Sequence, residues 1–192
     1  VNEAKNMVAM AARRAWAMKP DVLAAMMLTL ADAAAHDGPP DSVARRIALA
    51  LGSSRMDKLA ARRGEGDLAP YDLRGSVAVI PVGGVILKGK EEAFWYGGTS
   101  TQGVQEALAA AKADARVKSA MVLVHSPGGS VEGVADLAQS MRDFGASKPL
   151  ATYSQDLAAS AGLWIASQSA TRYANESAMV GSIGVYTVLA DV

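Results

Sequence analysis

Hydrophobic and polar positions follow two different rhythms along the 192 residues, and the change falls near residue 67. Upstream, apolar residues recur at helical spacing. The pattern predicts a helix over residues 3–18 that Pro20 ends, and a second over residues 21–35 with Asp21 as its N-cap. After the break HDGPP (36–40), a third helix is expected from Asp41 or Ser42 to Leu51, with Val43, Ile47, Ala48 and Leu51 inward and Arg45 and Arg46 outward. The charged stretch RMDKLAARRGEGD (55–67) predicts a short helix and then a linker.

From Gly75 the pattern alternates between strand and helix. VAVIPV (77–82) is a buried strand, interrupted by Gly83 and Gly84 and continued by VIL. GKEEAFWYGGTST (89–101) reads as a loop carrying Phe94, Trp95 and Tyr96, either a cleft wall or a small satellite core. A helix over residues 101–113 presents Val104, Ala107, Leu108 and Ala111 on one face. AMVLVH (120–125) is a strand, SPGGS (126–130) a turn, and Val131, Val134, Leu137, Ala138 and Met141 form the stripe of another helix. PLATYS (149–154) is a third strand, a helix opens at Ser160, and TRYAN and AMVGSIGVY supply short strands. Trp164 falls in that helix as a core residue, with a substrate-lining role as its alternative. Continuous apolar strands alternating with helices predict an α/β fold around a mainly parallel sheet. Residues 67–192 form that domain, and residues 1–66 a helical N-terminal extension.

Composition narrows the functions. Half the residues are hydrophobic, enough for a full core, and the formal net charge is zero. A nucleic-acid partner is therefore not expected, because phosphate binding shows as a basic excess. The chain has no cysteine and two histidines, His36 and His125, so no disulfide, thiolate site or His-rich metal site is expected, and no cofactor motif stands out. The most apolar run, VLAAMMLTLA (22–31), is ten residues long, against the ~20 a bilayer requires. No membrane span is expected, nor a secretory signal.

Two strand ends carry candidate chemistry, since sites in such sheets gather beyond the carboxyl ends of the strands. In HSPGGS (125–130), the N–H groups of Gly128 and Gly129 are candidates for an oxyanion hole, where a simple tight turn is the plainer reading. In LAASAGLWIAS (157–167), Ser160 stands at a helix start among Ala158, Ala159, Ala161 and Gly162. This follows the logic of a nucleophile elbow without the G-x-S-x-G spacing; a serine N-cap is the plainer reading. A serine nucleophile needs a base. His125 and Asp156 are weak candidates, and no lysine follows Lys148.

SPGGSV, AASAGLWIAS and VGSIGVY, in that order, resemble the Ser–Lys signal-peptide-peptidase family, of the Clp protease and crotonase-like superfamily. The resemblance runs from about Gly75 to the end of the chain. It implies Ser160 as nucleophile, Gly129 with Gly128 and the N–H of Ala161 as oxyanion hole, and Ser182 as the residue that orients the base. The family's base is a lysine whose pKa burial lowers. It comes after the GSIG motif, and the sequence stops at Val192 before that position. The expectation is a domain whose C-terminal part is missing and a chain that is inactive as it stands. The helical extension resembles that of phage head-maturation proteases more than membrane-anchored members. That implies protein or peptide substrates (capsid or scaffold proteins, or signal peptides), self-association, and a cytoplasmic or prohead setting. A crotonase-type acyl-CoA enzyme and a noncatalytic assembly subunit are the competing readings.

Overall fold

The computed structural model describes residues 15–18 and 70–187. The helices expected over residues 21–35, 41–51 and beyond Arg55 lie outside the described residues. The strands are β1 (Ala15–Met18), β2 (Asp72–Arg74), β3 (Val77–Leu87), β4 (Thr99–Ser100), β5 (Ser119–Ser130), β6 (Leu150–Ala159), β7 (Thr171–Ala174), β8 (Met179–Gly181) and β9 (Tyr186–Thr187). The helices are α1 (Lys90–Trp95), α2 (Thr101–Ala113), α3 (Val134–Gly145) and α4 (Ala161–Ala166).

At the centre β3, β5 and β6 run parallel, with β7 and β8 added parallel along successive parts of β6. The antiparallel pairs are β2 with β3, and β1 with both β5 and β9. The mainly parallel α/β sheet expected from the sequence is thus present. One face is dry. Ala78, Ile80 and Val82 of β3 and Ala120, Val122 and Val124 of β5 join Val104, Leu108, Leu137, Met141 and Phe144 of α2 and α3 in one buried cluster. Each large side chain so buried contributes roughly 1.5–3 kcal/mol. The intervening positions Val77, Val79, Met121, Leu123 and His125 are half-buried, as the period of two requires.

The two long helices follow their patterns. In α2 the inward residues are Thr101, Val104, Ala107, Leu108 and Ala111, and the Ser100 hydroxyl caps the start by accepting from Gly103 N at 3.2 Å. In α3 they are Val134, Leu137, Ala138, Met141 and Phe144.

Four expectations are corrected. Residues 15–18, placed in a helix, form a strand; AWAM has no strong preference of its own, and a partner edge decides it. Gly83 and Gly84 do not break β3: VIL continues it as expected, but within one strand, past a register shift that Thr99 secures. The Thr99 hydroxyl accepts from Gly83 N at 2.8 Å and donates to Gly83 O at 2.7 Å. SPGGS is the end of β5 rather than a separate turn, because Val85 and Ile86 keep pairing with Gly128 and Gly129. The 89–101 segment contains α1, in which Tyr96 at the C-cap is buried while Phe94 is exposed.

Candidate active site

Strand β6 ends at Ala159, Ser160 makes the corner, and α4 begins at Ala161. Ser160 has φ 52° and ψ −113°, a conformation that L-residues avoid. Such a residue costs about 1–3 kcal/mol, and surrounding contacts must hold it. Here they do. Ser160 N donates to Gly181 O, and Ser160 O accepts from Trp164 N, both at 2.9 Å. Thr152, buried beneath α4, donates to Ala166 O at 2.7 Å and ties the far end of the helix to β6. Ser160 is 8% exposed, and its hydroxyl donates to Gly184 O at 3.1 Å.

The helix sits directly on the end of β5. A Cβ on Gly162 would lie 3.0 Å from Ser126 O and 3.1 Å from Ser126 Cβ. A side chain there would lift α4, and Ser160 with it, away from the glycine strand. That strand is itself pressed against β3: a Cβ on Gly129 would stand 1.8 Å from Ile86 O. Ser126 links the layers. Its hydroxyl donates to Gly84 O at 2.6 Å and accepts from Gly128 N at 3.1 Å.

The residues singled out in the sequence fall as follows. Gly128 and Gly129 are buried near the end of β5, and the Gly128 N–H is engaged by Ser126. Ala161 is the buried first residue of α4, where the N–H has no acceptor within the helix. Ser182, φ 56°, lies exposed in the loop between β8 and β9, two residues before the carbonyl that accepts from Ser160. His125 points away from the buried cluster, with Nδ1 3.5 Å from Asp156 Oδ2, and no hydrogen bond joins it to Ser160. Lys148 stands two residues before β6, the strand that leads to Ser160, donating to Ala111 O at 2.9 Å and Asp114 O at 2.8 Å. Trp164, expected in the helix core, is 40% exposed, because α4 buries Ala161, Gly162, Ile165 and Ala166 instead. Among the described residues, no cluster of three His, Cys, Asp or Glu side chains is placed to hold a metal, and no helix is long and apolar enough to cross a membrane.

Sequence reasoning missed Ser126. A signal was present: it continues the buried alternation of Val122 and Val124, so its hydroxyl must find partners inside. It also missed residues 15–18, whose role nothing local reveals.

Comparison with known proteins finds a family match over part of the chain. Residues 142–192 match the model for Peptidase family S49. The chain is 35% identical over 124 residues to Protease 4 of Salmonella typhi, covering 62% of this chain and 19% of that one. It is 32% identical over 119 residues to Capsid assembly protease C of Escherichia phage lambda, covering 60% and 26%. The chain thus spans about a fifth to a quarter of the length of these curated relatives. A crystal structure of an enoyl-CoA hydratase/isomerase family member is similar at TM-score 0.46 and 14% identity, over 56% of this chain and 47% of that one. The stretch that runs from α3 through the Ser160 corner to the loop holding its hydroxyl is therefore where this chain matches Peptidase family S49, and the motif resemblance points to the same proteases.

Proposed function

We propose that residues 67–192 carry the nucleophile and oxyanion site of a serine endopeptidase, with residues 1–66 as its N-terminal extension. The observation that carries this is Ser160 itself: a strained residue at a strand-to-helix corner, at the end of the sheet where the glycine strand finishes. The Ser160 oxygen attacks the carbonyl carbon of a peptide bond, and the N–H groups of Gly129 and Ala161 stabilise the oxyanion that forms. Gly128 joins them when Ser126 releases its N–H. The proton of Ser160 passes to a base and then to the departing amine, and water hydrolyses the acyl-enzyme. Gly184 O, a neutral carbonyl, accepts the hydrogen bond but not the proton. The base is a lysine beyond Val192 that displaces this contact, with Ser182 orienting it from the same loop.

A relative named for capsid assembly supports proteins of phage head assembly as substrates. The setting proposed with it is the bacterial cytoplasm or prohead, and the chain self-associates. The test is made on a chain extended past Val192. Ser160 is expected to react with a fluorophosphonate, and Ser160→Ala to lower kcat by about 10⁴-fold or more, as for other nucleophile removals. Proteolysis that survives Ser160→Ala removes Ser160 from the role. Binding of CoA without fluorophosphonate labelling supports an acyl-CoA enzyme instead.

A further inference from the structure

Strand β5 is flanked on both sides over its first half, by β3 and β6. Its last pairing with β6 is Ser126 with Ala158, where β8 lies along the other edge of β6. Gly128 and Gly129 therefore keep β3 on one side, and beyond Ser126 the strand has lost β6 on the other. An open edge of this kind presents backbone N–H and C=O groups that an extended chain can pair with, whatever its side chains. β1 fills it. Trp16 pairs with Ser130, Ala17 with Gly129 and Met18 with Gly128, antiparallel. On its other side β1 pairs antiparallel with β9, Ala15 with Thr187 and Trp16 with Tyr186. Its direction brings Met18 to Gly128, the end of the slot nearest Ser126 and the α4 start.

We infer that Ala15–Met18 is the resident strand of the peptide slot, bound in cis, and that a polypeptide substrate must displace it to reach the Gly128 and Gly129 amides. This rests on the peptidase reading of the same site. The occupant is tethered, so it competes at an effective concentration far above that of a free peptide. The slot reads backbone more than side chain, which suits an extended segment of an unfolded or flexible protein rather than a small molecule.

The test uses the full chain carrying Ser160→Ala, so that nothing is turned over, and a fluorescent peptide of residues 13–20. Ala17→Pro in the chain removes a backbone N–H from the centre of β1 and bars its pairing. Peptide affinity by fluorescence anisotropy is expected to rise about tenfold or more in that variant, given the effective concentration of a tethered competitor. The same peptide with proline at position 17 is expected not to bind. A second measurement needs no chain variant: amide exchange at residues 15–18 is expected to be slow in the Ser160→Ala chain and to accelerate as peptide is added. Equal peptide affinity for the two chains overturns the proposal, provided the β3 and β5 amides stay protected in both. So does exchange at residues 15–18 that is unaffected by saturating peptide. Failure of the peptidase reading looks different: no fluorophosphonate labelling of native Ser160 in the extended chain, with strand competition intact.

Discussion

The two ends of the parallel strands are fastened by different means. At the starting end, side chains and charges do the tying. Lys148 reaches back to two carbonyls at the close of α2, Tyr71 donates to Asp114 at 2.7 Å, and Asp114 is chelated by Arg116. At the finishing end, backbone presses on backbone. Gly129 lies against Ile86, Gly162 against Ser126, and two serines, Ser160 and Ser182, are held at positive φ. The loop beyond is open: Ile183 is 91% exposed, and Val180 and Val185 are also exposed. A starting end built from long side chains tolerates change, since each tie is local and partly solvated. A finishing end built from main-chain contact does not, but it leaves room for only small residues where Ser160 and the glycine strand come to an end.

The same substitution made at two glycines gives the largest effect and the most direct attempt to break this comparison. Gly129→Ala puts a methyl 1.8 Å from a main-chain oxygen, which cannot rotate aside. The expected loss exceeds the ~1–3 kcal/mol of ordinary overpacking, read as a fall in the denaturation midpoint. Gly184→Ala meets nothing within 4 Å among the described residues. Its cost is expected to stay within ~0.5 kcal/mol, as at other surface positions. Similar losses at the two sites would mean that glycine serves turn geometry at this end rather than close approach.

A second pair compares the middle of the sheet with the open loop. Ile80 is fully buried in the main cluster, so Ile80→Ala is expected to cost about 2–5 kcal/mol. Ile183→Ala is expected to change stability by less than ~0.5 kcal/mol. A loss above ~1 kcal/mol at Ile183, with a dependence on protein concentration, would show that association covers the loop in solution.

These contrasts also explain what the sequence could and could not disclose. The centre was legible because burial writes a period of two into β3 and β5 and a period of 3.6 into α2 and α3. Ser160, Ala161 and the glycine pair stood out by their order and small size; the glycines end β5, and Ser160 and Ala161 follow the end of β6 beside it. A break at Gly83 and a strand end before Pro127 were misjudged, since a turn signal is local while the pairing that overrides it comes from β3 or β5. Trp164 was placed inward on size alone, though the small residues of α4 are the ones that fit under the close helix–strand contact. β1 was illegible because its conformation is fixed by an edge more than a hundred residues along the chain.

The smallest effect tests the starting end. Hydrogen bonds from Arg116, and then from Tyr71, hold the Asp114 carboxyl well below the usual carboxylate range. Burial, and then the neighbouring Asp114 carboxylate, push the Tyr71 phenol up. A carboxylate whose folded pKa is depressed contributes stability that is fully present above its unfolded value, about 3.9, and is lost as pH falls toward the folded value. Asp114→Asn is therefore expected to lower Tm modestly at pH 7, with the gap from the parent closing as pH drops below about 4. Added salt is expected to narrow the gap too, because the Arg116 side of the pair is open to solvent. Peptide binding at the Ser160 end is expected to be unchanged. A gap that persists undiminished at low pH would mean that Asp114 acts by shape rather than charge, and the distinction between a charge-tied and a backbone-tied end would fail.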